Sequence, residues 1–352
     1  MKEWEKYVRK VVPYVPGEQP KEKVIKLNTN ENPYPPAPRV FEALKELDAT
    51  DFRKYPDPAA SELVDAIASF YGVESENVFV GVGSDDVISM AFLTFFNSEK
   101  PILFPDISYS FYSVWADVYG VKYECPKLDE NFGICAADYK RENGGIIFPN
   151  PNAPTSIAQP LEFIEDIVKS NEDSVVIIDE AYIDFGGESA LELTKKYDNL
   201  LVVQTFSKSR SMAGMRIGYA IGNKKLIRAM LDVKYSINSY TMNIPSIKLG
   251  KLAIEDRAYF EECTGKIVAT RERVAKELKK LGFVMPDSKA NFLFASHSKV
   301  PAKELFEALK KGGIYVRYFP KERIDNFLRI TIGTDEEMDA FIAFVKEYLE
   351  KR

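Results

Sequence analysis

The stretch LLVVQTFSKSRSMAGMRIGYAIG, residues 200–222, decides how this chain folds. It begins with LLVVQT, a continuous apolar run of the kind needed by a strand covered on both faces, breaks into a polar turn, and returns to an apolar run in RIGYAIG. Outward from there, runs of the same kind occur at NVFVGVG (77–83), PILF (101–104), GIIF (145–148) and SVVII (174–178), with helical stretches at 62–71 and 157–169 between them. Strand-like runs that alternate with amphipathic helices predict an α/β domain built on a mostly parallel sheet.

The flanks read differently. Trp4, Tyr7, Val8 and Val11 recur at helical spacing before Pro13, which predicts a short amphipathic helix over 2–12. LNTNENPYPPAP (27–38) has no period, and its prolines restrict both themselves and their predecessors, so an extended arm is expected. Beyond about 250 come a long charged helix (251–281), the strand-like NFLFA, YVRYF and LRITIG, and a last helix over 335–350. That helix opens with Thr334 and Glu337 at capping-box spacing and aligns Met338, Phe341, Ile342, Val345 and Leu349 on one face. The expected division is an N-terminal arm (1–35), a large domain (36–250) and a small α+β domain (251–352).

With 47 Lys and Arg against 53 Asp and Glu, the 352 residues carry a formal charge of −6. No dense basic tract offers a footprint for a phosphate backbone, so no nucleic-acid partner is expected. The most apolar stretch, ISMAFLTFF (88–96), is about half the length of a bilayer span, and MKEWEKYVRKVVP lacks a long apolar signal core. A soluble cytoplasmic protein without a membrane partner is expected. Cys125, Cys135 and Cys263, odd in number and far apart, support neither a disulfide framework nor a zinc site and are expected as buried thiols. The single histidine, His297, follows NFLFA in a polar turn, where a solvated imidazole is expected; one histidine excludes an HExxH zinc site, and no metal is expected. Chemistry is left to Lys, Asp, Tyr, Arg and a borrowed cofactor.

Ligands of open parallel sheets sit outside the carboxyl ends of the strands. The polar residues that follow the apolar runs are Ser84 and Asp85, Tyr109, Asn150 and Asn152, Asp179 and Tyr182, and Ser207 and Lys208. Burial at a strand end disfavours the ammonium form of Lys208, and a neutral amine is what Schiff-base chemistry needs. Ser207 beside it and Arg216 eight residues on offer the hydroxyl and guanidinium that hold phosphate. GVGSDD (81–86) turns from strand into helix, so the amides of Ser84 and Asp85 can face a phosphate at a helix N-terminus. Taken singly, these residues have plainer readings: a solvated loop lysine, a helix N-cap for Asp179, packing tyrosines at Tyr109 and Tyr182.

The run SKSRSMAGMRIG (207–218) resembles the pyridoxal-phosphate lysine motif of the aspartate aminotransferase superfamily, fold type I. The resemblance implies a large domain with a mostly parallel seven-stranded sheet flanked by helices, a small α+β domain, and pyridoxal 5′-phosphate as cofactor. It implies that Lys208 carries the cofactor as a Schiff base, that Ser207 and Arg216 hold its phosphate, that Tyr109 stacks over its ring, that Asp179 pairs with the pyridinium nitrogen and that Tyr182 donates to the phenolic oxygen. NPNAPTS (150–156) is similar to the NPNNPTG of that family, departing at Ala153 and Ser156, and Asn152 is expected to take over the contact to the phenolic oxygen.

Within that superfamily the chain resembles the histidinol-phosphate aminotransferases, on PY (13–14), LNTNENPYPP (27–36), KYPDP (54–58), DEAYIDF (179–185), the lysine motif and the tail pair GIYVR and LRITIGT. This implies amino transfer between L-glutamate or 2-oxoglutarate and histidinol phosphate or imidazole-acetol phosphate, a step of histidine biosynthesis, with Lys208, Asp179 and Tyr182 as the catalytic set. Arg329 would be the main anion ligand and Arg317 a second one for phosphate, since a guanidinium fork suits both carboxylate and phosphate. Tyr14 and Asn30 would line the substrate side. Tyr55 would reach the cofactor phosphate of the neighbouring subunit, in a homodimer with shared active sites. Aromatic amino acid transaminases and phosphothreonine decarboxylases share many of these motifs and stand as alternatives.

Overall fold

The structure is a computed structural model that describes residues 1–351. A two-residue strand from the arm, β1 (Ile25–Lys26), precedes the seven strands of the main sheet: β2 (Val78–Gly81), β3 (Ile102–Leu103), β4 (Tyr123–Glu124), β5 (Ile146–Pro149), β6 (Val176–Asp179), β7 (Leu200–Thr205) and β8 (Gly218–Gly222). Their spatial order is β2-β8-β7-β6-β5-β3-β4, with β8 antiparallel to both neighbours and the other pairs parallel. Every residue of β2, β5, β6, β7 and β8 is buried, which is why these strands read as unbroken apolar runs. Both residues of the edge strand β4 are exposed, so its YE carried no such signal.

Alternate residues of each strand serve opposite faces. Val176 and Ile178 join one core with α2 (Ser61–Tyr71), α5 (Leu161–Lys169) and α7 (Ile244–Glu255). Ile177 joins another with α3 (Ser84–Phe95), α4 (Phe111–Tyr119) and α6 (Lys224–Ile237). The short α1 (Pro38–Lys45) follows the arm and packs on α7.

A third core gathers α8 (Arg257–Lys280), α9 (Ala302–Lys311) and α10 (Asp335–Glu350) around β9 (Phe283–Val284), β10 (Phe292–His297), β11 (Ile314–Tyr315), β12 (Arg317–Tyr318) and β13 (Leu328–Thr331). Four of these strands form an antiparallel sheet in the order β12-β13-β10-β9, while β11 pairs in parallel with β1. The arm is thereby tied to this second unit. The capping box of α10 forms in full: Thr334 Oγ1 accepts from the Glu337 amide at 3.3 Å, and Glu337 Oε2 accepts from the Thr334 amide at 2.9 Å.

Several expectations need correction. The predicted helix over 2–12 shrinks to a single 3-10 turn at Glu3–Tyr7. Tyr7, Val8, Val11 and Val12 are exposed, so the apolar face has nothing in this chain to pack against, and an isolated helix of that length does not hold itself together. The charged helix at 251–281 is two helices, interrupted at Asp256, whose carboxylate accepts from the Tyr259 amide at 3.2 Å and restarts the second. Only Cys263 is buried; Cys125 and Cys135 are exposed. The strand at NFLFA runs on to His297, which is buried rather than solvated. Its Nδ1 accepts from the Lys299 amide at 3.2 Å, which leaves Nε2–H to donate to the Leu281 carbonyl at 3.0 Å. Among the described residues no helix is long and apolar enough to cross a membrane.

Candidate active site

The carboxyl ends of β5, β6 and β7 open on a cavity of about 290 Å³ whose wall includes Pro149, Asp179 and Thr205, the last residues of those strands. Lys208 stands in the turn after β7. Its Nζ donates to the Thr29 carbonyl at 3.2 Å, and its own carbonyl accepts from Asn32 Nδ2 at 3.0 Å, so the arm holds the residue at both ends. Burial pushes the amine down to about 8; the nearby Arg329 guanidinium acts in the same direction, and the carboxylates of Glu31 and Asp85 oppose it. About a tenth of the amine is therefore neutral at pH 7.

Asp179 forms the floor. Its Oδ2 accepts from the Tyr112 hydroxyl at 2.7 Å and its Oδ1 from the Ala181 amide at 3.2 Å. Burial nevertheless raises the carboxyl to about 6, against these two hydrogen bonds and the positive charge of the nearby Lys208. Tyr182 lies beside it, with its hydroxyl 2.9 Å from Asn30 Nδ2 and its ring 5.9 Å from the Lys208 amine.

At one end of the cavity the amides of Ser84 and Asp85 open α3 and have no acceptor within the described residues, as the first turn of any helix requires. Ser207 and Arg216 line the same end. Arg216 lies 3.2 Å from Asp85 Oδ2, and the Tyr109 hydroxyl donates to Asp85 Oδ1 at 2.9 Å, so one carboxylate holds both side chains. Gly83, at φ +87°, admits this packing: a Cβ there would come within 2.4 Å of Arg216 Nη2.

Tyr14, Asn30, Arg317 and Arg329 also line the cavity. Arg329 Nη2 donates to the Asn28 carbonyl at 2.9 Å, and its buried Nε has no partner. Arg317 donates to the carbonyls of Val15 and Pro16 at 3.2 and 3.4 Å. Among the described residues neither arginine has a carboxylate partner. Tyr14 is held over the cavity by stacking on Phe111, with ring centres 4.7 Å apart.

Two predicted residues are not brought into this cavity. The Asn152 side chain donates to the Ile107 carbonyl at 3.0 Å and to Thr155 Oγ1 at 2.9 Å, and these bonds turn it away; Ala153 and Pro154 line the wall instead. Contrary to the expectation that Asn152 takes over from the absent asparagine, its side chain is not presented to the cavity. Ser156, where the motif has glycine, takes the left-handed backbone that glycine favours (φ +66°). Tyr55 is exposed on the outer surface, stacked on Tyr240 at 4.5 Å, and does not line the cavity of its own chain. Sequence reasoning missed Tyr112, Asn32 and Thr29. Tyr112 acts on Asp179 across 67 residues of chain and the other two on Lys208 across 176 and 179, distances no local pattern bridges.

These residues fit pyridoxal phosphate. A buried carboxylate awaits a protonated ring nitrogen, unpaired amides beside Arg216 and Ser207 suit a phosphate, and a desolvated amine suits an aldehyde. The model for class I and II aminotransferases matches residues 22–345, and the chain belongs to that family; the family's cofactor is pyridoxal phosphate. A histidinol-phosphate aminotransferase of Clostridium beijerinckii is 54% identical over 342 residues, covering 97% of this chain and 96% of its own. The crystal structure of the histidinol-phosphate aminotransferase from Clostridium acetobutylicum superposes with a TM-score of 0.85 at 25% identity, covering 94% of this chain and 100% of that one. That of the Sinorhizobium meliloti enzyme, in complex with pyridoxal-5′-phosphate, superposes with a TM-score of 0.84 at 24% identity over 94% of this chain and 92% of that one.

Because only a neutral amine attacks an aldehyde, the rate at which the cofactor-free protein combines with pyridoxal phosphate should rise with pH to a midpoint near 8. Arg329→Leu removes a cation that disfavours the ammonium form, so the midpoint should move up. Stopped-flow absorbance across pH measures both, and a midpoint that stays or falls in the variant contradicts the charge placement.

Proposed function

We propose that the chain catalyses reversible amino transfer between glutamate and imidazole-acetol phosphate, giving 2-oxoglutarate and histidinol phosphate. One observation carries the substrate class: two arginines without carboxylate partners line the same cavity as a lysine amine held near neutrality. A site of this kind takes amino substrates that bring an anion with them. Full-length identity above 50% to an enzyme of this name supports the particular pair.

Each chain residue has a task. Lys208 would hold the cofactor, and Ser84, Asp85, Ser207 and Arg216 would bind its phosphate. Asp179 would hold the proton of the ring nitrogen, and Tyr109 would lie against the ring. When bound, pyridoxal phosphate supplies a carbonyl that exchanges oxygen for the amino group and a protonated ring that accepts the electron pair left at Cα. Lys208 Nζ, released by the incoming amine, would take the proton from the substrate Cα and return one on the far side of the transfer. Arg329 would bind the α-carboxylate of glutamate or the phosphate of the second substrate, with Arg317 adding bonds to the phosphate.

Measured as glutamate formed from 2-oxoglutarate, kcat/KM for histidinol phosphate should exceed that for phenylalanine or tyrosine by at least about tenfold, the least that one charge-assisted bond to the phosphate contributes. Equal or better use of phenylalanine would make this an aromatic transaminase. Carbon dioxide released from phosphothreonine without glutamate formation would make it a decarboxylase.

We further infer a homodimer in which Tyr55 completes the neighbour's phosphate site. Its support is the apolar surface left uncovered on one chain: Trp4, Tyr7 and Val12 of the arm, Phe41 and Leu44 of α1, Phe52 and Tyr55, and Ile237 and Tyr240 at the end of α6. Exposed apolar side chains that gather into a patch, as Tyr55 and Tyr240 do by stacking, mark association. Sedimentation should give twice the chain mass; a fully active monomer would remove Tyr55 from the site.

A further inference from the structure

We propose that Asn30 is a positioning residue that fixes the direction of the Tyr182 hydroxyl proton. The proposal rests on the function proposed above and on the role that the family resemblance implies for Tyr182, donation to the phenolic oxygen of the cofactor.

Asn30 is 1% exposed and stands at φ +56°, a left-handed conformation that asparagine adopts more readily than most residues. Its backbone N–H donates to Thr331 Oγ1 at 3.0 Å. An N–H can only donate, so the single hydrogen of the Thr331 hydroxyl must point elsewhere, and its acceptor is Asn30 Oδ1 at 3.1 Å. This settles the orientation of the side-chain amide: Oδ1 faces Thr331 and Nδ2 faces the Tyr182 oxygen at 2.9 Å. An NH2 group also can only donate. Tyr182 therefore accepts from Asn30, and its own hydrogen is left for an acceptor on the cavity side.

The remaining polar group of Asn30, its carbonyl, accepts from Asn291 Nδ2 at 3.0 Å, so the residue has no freedom to turn. The N–H donated by Asn30 also favours the ionised phenol, against the larger effect of burial, which raises it. Thr331 stands two residues after Arg329 on β13, so the strand that presents the anion-binding arginine also anchors the asparagine. Without this chain of bonds the Tyr182 hydroxyl could point either way, and in one of the two it would be no donor to the cavity.

The visible absorption of bound pyridoxal phosphate titrates with pH, and a donor to its phenolic oxygen lowers the midpoint by stabilising the anionic form. Thr331→Val removes the hydroxyl without adding charge and frees the Asn30 amide to flip, so the midpoint should rise. Thr331→Ser keeps the hydroxyl and should restore the wild-type value. Asn30→Asp presents only acceptors to Tyr182, draws its proton out of the cavity and should raise the midpoint further, by about one unit or more. In a Tyr182→Phe background the effect of Thr331→Val should vanish, because it acts through the hydroxyl. The same Thr331→Val shift in both backgrounds, or none from either variant, overturns the proposal. A wild-type protein without a visible band overturns the cofactor reading itself, which is a different result.

Discussion

Lys208 is held where water does not solvate its amine, at the carboxyl end of a strand buried on both faces, and the site is arranged around the consequences. Removing an ammonium from water is unfavourable unless a carboxylate pairs with it. Here a carbonyl, at Thr29, is the hydrogen-bond partner, and the charges of Glu31 and Asp85 do not outweigh burial and the positive charge of Arg329. The result is an amine near neutrality, and that property makes a lysine into a nucleophile for aldehydes and a base for Cα protons. Asp179 is the mirror case: a carboxyl raised by burial to about 6, whose ionised form a protonated ring nitrogen would stabilise.

The arm makes these charges compatible. It is bound to the second unit through β1 and β11, through the Leu27 carbonyl, which accepts the Thr331 amide at 3.0 Å, and through the Asn28 carbonyl that receives Arg329. From that base it touches Lys208 with Thr29 and Asn32 and Tyr182 with Asn30. The strands that hold Arg317 and Arg329 are thus joined by one short segment to Lys208 and Tyr182.

Much of this was legible in the sequence, for identifiable reasons. Strands buried on both faces leave unbroken apolar runs, so the main sheet was readable except for β4, which is exposed and two residues long. Of the polar residues directly after those runs, Ser84, Asp85, Tyr109, Asp179, Tyr182, Ser207 and Lys208 all line one cavity, whereas Asn150 and Asn152 do not. The reading failed where neighbours distant in sequence decide the outcome. Asn152 stood in the right motif, but the Ile107 carbonyl captures its amide. His297 looked like a turn residue because the pairing of β10 with β9 cannot be seen locally. The arm's helical period had no partner surface within the chain. Arg317 lines the cavity, and its bonds to Val15 and Pro16 also secure the segment bearing Tyr14.

The central claim is that Lys208, and no other lysine, carries the cofactor. Mixing the protein with pyridoxal phosphate, reducing with borohydride and mapping the added mass by peptide mass spectrometry tests it directly. The expected result is a single modified peptide containing Lys208, and none in a Lys208→Ala variant. Modification at another lysine in place of Lys208, or no stoichiometric modification at all, would contradict it.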